Sequence, residues 1–249
     1  MLLDGKNAVI YGGGGAIGGA VARAFAREGA TVHLAGRTQD SLEEVAEQIR
    51  AAGGTAETAQ VDALDEAAVD EHTDAVTAKS GSLDICFNLI SYGETFGTPL
   101  VEMQLEDFER PVHNAIRTMF LTSTAAARQM IRQGSGVILA FGGYGDPMPD
   151  LGGFQVAFGA MEALRRSLAC ELGPHGIRVL TLQTAGIPET IPEGFAEREP
   201  ITKDIEGRTM LNRAASLEDI GNVAAFAASD HARSMTATAL NITAGAVVD

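Results

Sequence analysis

The sequence predicts an α/β fold: a doubly wound, mostly parallel seven-stranded sheet with helices on both faces. Three observations carry the prediction. Strand-like apolar runs alternate with helix-period segments along the whole chain. The first such run breaks into a glycine cluster, Gly12-Gly13-Gly14-Gly15, just before a helical pattern begins. No linker, internal repeat or low-complexity tract interrupts the alternation, so one domain over residues 1–249 is expected.

The first unit sets the pattern. Ala8 to Tyr11 is the short apolar run of a buried parallel strand, and from Ala16 the residues Ile17, Val21, Ala24 and Phe25 recur at helical spacing up to a stop at Gly29. Glycine suits the turn between them. A tight turn demands positive φ, and a pyrophosphate must approach bare backbone N–H groups at the positive end of a helix. Glycine runs also build ordinary surface turns, so the strand–turn–helix context is what points to a nucleotide.

The remaining elements follow in order. Thr31 to Ala35 reads as strand, Ser41 to Ala52 as helix, Ala56 to Val61 as a weaker strand, Glu66 to Lys79 as helix and Leu83 to Ile90 as a strong strand. A long helical region spans Leu105 to Gln133, with a disturbed start expected at Pro111. Strand Gly136 to Phe141, helix Phe154 to Leu172 and strand Ile177 to Gln183 come next. An irregular stretch from Thr184 to about Asn212 precedes helix Leu217 to Ser229 and a last strand near Ala239 to Ile242.

Composition narrows the function classes. The 249 residues are 45% hydrophobic, enough for a sizeable core. A formal net charge of -15 argues against nucleic acid or an anionic membrane as partner. Cys86 and Cys170 lack CxxC spacing and read as buried, reduced thiols, which suits a cytoplasmic location. No basic-then-apolar leader and no apolar run of about 18 residues is present, so neither export nor membrane insertion is expected. The five histidines have no ligand spacing, and no metal site is expected.

Taken together, the landmarks resemble the short-chain dehydrogenase/reductase family over nearly the full length. Gly12-x-x-x-Ala16-Ile17-Gly18 resembles its glycine motif. Asp62 follows the third strand, Asn88 ends the fourth in a degraded Asn-Asn-Ala-Gly motif, and Asn114 lies in the long helix. Glu162 to Ala169, Gly176-Ile-Arg-Val179, Ser216-Leu-Glu-Asp-Ile220 and Ala227-Ala-Ser-Asp230 match later elements. The resemblance implies a Rossmann fold, an unidentified small-molecule substrate and an NAD(P) cofactor. It also implies a homo-oligomer, tetramer or dimer, with hetero-assembly alongside an active paralogue as a variant. The cofactor residues it implies are Gly12, Gly14, Gly15, Ile17, Gly36, Arg37, Asp62, Ala63, Asn88, Ile187 and Thr190. Residues 187–212 would form the substrate lid.

Two readings go beyond membership. Gly36 stands where NAD-preferring relatives carry an acid for the ribose 2′-OH, and the adjacent Arg37 offers a planar cation suited to a 2′-phosphate, so NADP(H) is favoured over NAD(H). A solvated Arg37 and an Asp62 that merely caps a helix are the plain alternatives. The family's catalytic Ser, Tyr and Lys correspond here to Gly143, Phe154 and Phe158, leaving Asn114 as the retained member. Tyr144, Ser91, Tyr92 and Gln155 are the polar side chains near enough in sequence to substitute, and Tyr144, in the turn-rich Gly-Gly-Tyr-Gly-Asp-Pro, reads more readily as a loop or packing residue. Ile90 replaces a small glycine beside the cofactor groove. The expected protein is thus an NADP(H)-binding oxidoreductase homologue with impaired or atypical catalysis. A non-catalytic NADP-binding or assembly subunit and an enzyme with an apolar active site are the alternatives.

Overall fold

The computed structural model describes residues 1–142 and 148–248, so Gly143 and Tyr144 lie outside the described residues. Seven strands form one sheet: β1 (Asn7–Tyr11), β2 (Thr31–Gly36), β3 (Thr55–Gln60), β4 (Ile85–Asn88), β5 (Gly136–Gly142), β6 (Ile177–Gln183) and β7 (Thr238–Asn241). Their spatial order is β3-β2-β1-β4-β5-β6-β7, and every neighbouring pair is parallel. The chain therefore winds outward from β1 to β3, returns to β4 on the other side of β1, and winds outward again. That reversal leaves a crevice between β1 and β4 at the strands' carboxyl ends.

The helices are α1 (Ala16–Arg27), α2 (Gln39–Ala51), α3 (Glu66–Ser80), α4 (Leu105–Gln133), α5 (Gly153–Leu172), α6 (Arg198–Gly207) and α7 (Leu217–Ala228). Two apolar cores cover the two sheet faces. Val21, Phe25, Leu42, Ile49, Ile220 and Ala224 from α1, α2 and α7 pack on one side. Val69, Ala115, Met119, Ala126, Phe158 and Met161 from α3, α4 and α5 pack on the other. The central strands β1, β4 and β5 read as mostly apolar runs because both faces are covered, β1 being buried at every position, while the edge strands β3 and β7 are half-exposed.

Local chemistry fixes the ends. Asp65 caps α3 by accepting from the N–H groups of Ala67 and Ala68, and Gly81 ends it in the left-handed region. Ser216 and Asp219 form a reciprocal capping box at the start of α7. Gly153, which opens α5, lies so close to α4 that a Cβ there would sit 2.0 Å from the Phe108 carbonyl oxygen, setting the first turn of α5 directly on α4.

Three expectations change. Pro111 does not disturb the start of α4, which begins six residues earlier and runs through it with Pro111 buried; the proline forgoes one helical hydrogen bond and the helix continues past it. The stretch expected to be irregular contains α6, whose ion pairs Lys203–Glu199 and Arg208–Asp204 lie at i,i+4 spacing and whose Ile205 is buried. Cys170 is exposed rather than buried, because it faces away from the α5 stripe of Met161, Leu168, Ala169 and Leu172; Cys86 is buried as expected.

Candidate functional site

The glycine turn lies at the reversal of strand order. Gly12 has φ 83° and donates its N–H to the Ala35 carbonyl at 2.8 Å. A Cβ there would fall 2.3 Å from the Leu89 carbonyl oxygen, so only glycine lets β1 and the end of β4 come this close. A Cβ on Gly14 would meet Ser41 Oγ at 2.4 Å, and one on Gly18 would meet the Gly12 carbonyl oxygen at 2.2 Å. Gly15 is exposed and forms the N-cap of α1 with no side-chain hydrogen bond. No acidic residue occupies the first turn, so nothing competes for the amides that open the helix. These features suit a pyrophosphate: bare backbone, unspent donors and the positive helix end. Ile17 is half-buried against the core beneath the turn.

Around the expected adenosine end, Gly36 closes β2 and a Cβ there would touch only Leu42, at 3.4 Å. Arg37 is exposed, its carbonyl accepts from Gln60 Nε2 at 2.8 Å, and no acid pairs with its guanidinium among the described residues. Asp62 accepts from the Leu64 N–H at 3.0 Å, forming a local turn, while Asp65 is the residue that caps α3. Ala63 is buried beside it. Ser41 behind Gly14 went unnoticed in sequence; only the folded α2 brings it there.

On the far side of the crevice, buried Asn88 accepts from the Ile90 N–H at 3.0 Å and donates to Thr122 Oγ1 at 3.3 Å, which fixes the chain leaving β4. Ile90 packs partly into the core on the α3–α5 side. Asn114 on α4 donates to the Tyr92 carbonyl at 3.0 Å. Ile187 is buried, and Thr190 folds back to donate its hydroxyl to the Ile187 carbonyl at 2.8 Å.

An aromatic cluster occupies the start of α5. The rings of Phe154 and Phe158 lie 4.3 Å apart, Phe96 meets Phe154 edge-on at 5.3 Å, and Tyr92 meets Phe158 edge-on at 6.3 Å. Phe158 is buried, packed towards Gly142. Tyr92 is also buried; its hydroxyl donates to the Phe141 carbonyl at 3.5 Å. Burial, reinforced by the Glu94 charge, pushes the Tyr92 hydroxyl well above its ordinary range. A phenol so placed is poorly suited to proton transfer near neutrality. Ser91 is exposed and donates to Glu94 at 3.3 Å. Gln155 accepts from the Met148 N–H at 3.3 Å.

One buried ion pair beyond the cluster is committed to the scaffold. Buried Arg165 forks onto Glu162, which also accepts from Thr181 on β6. Burial raises the Glu162 carboxyl, but those donors outweigh it and hold the pKa below the ordinary value. Among the described residues no group of His, Cys, Asp or Glu is placed to hold a metal, and no helix is long and apolar enough to cross a membrane.

Comparison with known proteins is consistent along the whole chain. The family model described as Enoyl-(Acyl carrier protein) reductase matches residues 14–246. Secoisolariciresinol dehydrogenase of Forsythia intermedia is 31% identical, over 98% of this chain and 89% of its own length. Among solved structures, an NAD+-bound xylitol dehydrogenase superposes with a TM-score of 0.90 at 26% identity, covering 98% of this chain and 100% of that one. A short chain dehydrogenase from Burkholderia cenocepacia J2315 in complex with NADP gives 0.87 at 26% identity, covering 99% of each.

Proposed function

Because the chain belongs to the short-chain dehydrogenase/reductase family, we propose that it is an NADP(H)-binding oxidoreductase homologue in which ordinary acid–base catalysis is impaired. The observation that carries this reading is the Phe154–Phe158 contact at 4.3 Å. By the family resemblance these positions carry the Tyr that exchanges a proton with the substrate oxygen and the Lys that lowers its pKa. A phenyl ring has no ionisable proton, and general acid–base catalysis contributes typically about 10²–10⁴-fold. Phe158, buried between Tyr92 and the end of β5, supplies no cation either. Gly143 at the Ser position removes a further donor to a developing oxyanion.

Cofactor binding is supported separately. Gly12, Gly14 and Gly15, with the first amides of α1, would hold a pyrophosphate. Asp62 and Ala63 would flank the adenine, while Asn88, Ile187 and Thr190 would line the nicotinamide half. Solved relatives include both an NAD+-bound and an NADP-bound protein, so the choice between cofactors rests on this chain's own residues. Gly36 neither bonds a 2′-OH nor repels a 2′-phosphate, and the unpaired Arg37 favours the phosphate. The bound group would supply hydride chemistry; the chain would position it and exclude water around it.

The test restores the missing groups. Gly143→Ser, Phe154→Tyr and Phe158→Lys combined should gain carbonyl reduction by at least about 10²-fold over the parent, assayed with NADPH across a carbonyl panel. A parent already as active as ordinary family members would refute the impairment. Circular dichroism on the variant separates a chemical result from a folding failure.

A further inference from the structure

The aromatic cluster and the charge beside it suit a different kind of reactant. Phe154 is half-buried and Phe96 is exposed, so the cluster is open to solvent on one side rather than closing on itself. Ring faces carry negative quadrupole charge and attract cations. Glu94, between Tyr92 and Phe96 on the same loop, is only partly exposed, and its carboxylate receives two long hydrogen bonds, from Ser91 Oγ at 3.3 Å and from the Tyr92 N–H at 3.4 Å. Among the described residues no Lys, Arg or His forms an ion pair with it: Arg110, which reaches the neighbouring Gly93 carbonyl, pairs with Asp107. A whole-chain charge of -15 adds attraction at long range.

The geometry points to a planar organic cation, an iminium ion, as the reactant that Phe96, Phe154, Phe158 and Glu94 receive. This rests on the preceding reading, in which a reduced nicotinamide is the hydride source. The electron balance explains why such a reactant needs none of the missing side chains. When a hydride adds to the carbon of C=N⁺, the π pair becomes the nitrogen lone pair, the iminium is reduced to a neutral amine, and the dihydronicotinamide is oxidised. No proton moves, so neither a Tyr nor a Lys is required. A carbonyl, by contrast, becomes an alkoxide that must be protonated. A Lys at position 158 would serve the second reaction and repel the reactant of the first.

Binding is read by calorimetry on the full chain, with and without NADP+, which has no hydride to give. The probes are N-methyl-3,4-dihydroisoquinolinium and its neutral hydrocarbon analogue of the same shape. The cation should bind at least about tenfold more tightly than the hydrocarbon. Phe154→Leu should abolish most of that preference, and Glu94→Gln, on the surface loop, should weaken the cation alone by about threefold or more. With NADPH, loss of 340 nm absorbance should accompany one amine formed per cofactor oxidised, while a ketone of the same shape is left unreduced. Equal binding of cation and hydrocarbon, or no binding of the cation, overturns the inference while leaving NADPH binding to stand or fall by its own titration. NADPH binding without reduction of a bound iminium overturns the assignment as reactant. Failure of NADPH itself to bind overturns both readings.

Discussion

Gly12→Ala gives the sharpest probe of the glycine turn. Two costs add at this residue. An alanine held at φ 83° pays about 1–2 kcal/mol for the left-handed conformation. Its Cβ would also lie 2.3 Å from the Leu89 carbonyl oxygen and 2.6 Å from its carbonyl carbon, both backbone atoms that cannot rotate aside. Relief requires β1 and the end of β4 to part, straining the Leu89 N–H to Tyr11 carbonyl bond (2.8 Å) and the Gly12 N–H to Ala35 carbonyl bond (2.8 Å) that pin the turn. Weakening one such bond costs about 1 kcal/mol. The sum is roughly 2–4 kcal/mol, which for a chain of this size lowers Tm by about 4–16 °C. Thermal unfolding followed by circular dichroism measures it, and the displaced turn should weaken NADPH binding by at least about tenfold in the folded variant. A Tm within about 1 °C of the parent together with unchanged affinity would refute the reasoning.

Other substitutions address separate parts of the account. Arg37→Glu should weaken NADPH by at least about tenfold and leave NADH nearly unchanged, since only the 2′-phosphate meets the reversed charge; equal affinities for both would remove the cofactor assignment. His72 on α3 lies 3.3 Å from the Tyr11 hydroxyl, and burial, with some help from His33, pushes its pKa from 6.5 down to about 4. The folded state thus resists protonation, so the stability contribution is fully present above pH 6.5 and is lost as pH falls from 6.5 towards 4. His72→Phe should flatten that limb by about 3 kcal/mol in denaturant titrations, and an unchanged slope would exclude His72 as its source. Glu162→Gln should likewise reduce the loss of stability below the ordinary carboxylate range, because the folded-state pKa lies under the unfolded one and its contribution disappears as pH falls through it. An identical acid limb in parent and variant would contradict the Arg165–Glu162 geometry.

Much of the architecture was legible because it follows from local pattern. Parallel strands covered on both faces produce runs such as Ala8 to Tyr11 and Val137 to Ala140, and the helices between them carry apolar stripes at helical spacing. Helix α6 was missed because Pro192 and Pro200 and mixed charges mask it. Pro200 falls in the first turn, where a missing N–H costs little, and the i,i+4 ion pairs carry the rest. Cys170 was misplaced although the α5 period puts it opposite Met161 and Leu168, so that error was avoidable. Arg165 on the buried stripe was not foreseeable: its Nε and Nη2 pair with Glu162, itself bound to Thr181 on another element, while its Nη1 is buried without a partner. At the site, the glycine turn was readable from residue type. Ser41 behind Gly14, the commitment of Asn114 to the Tyr92 carbonyl, and the meeting of Phe96 with Phe154 all join segments distant in sequence.

At the centre of the proposed function is a turn, Gly12 to Gly18, that holds a dinucleotide in a chain with phenylalanines at 154 and 158. Titrating the full chain with NADPH and with NADH, read by nicotinamide fluorescence in a protein with no tryptophan, tests it most directly. Both cofactors should bind saturably, NADPH the tighter by about tenfold through Arg37. Absence of binding by either cofactor at millimolar concentration would contradict this.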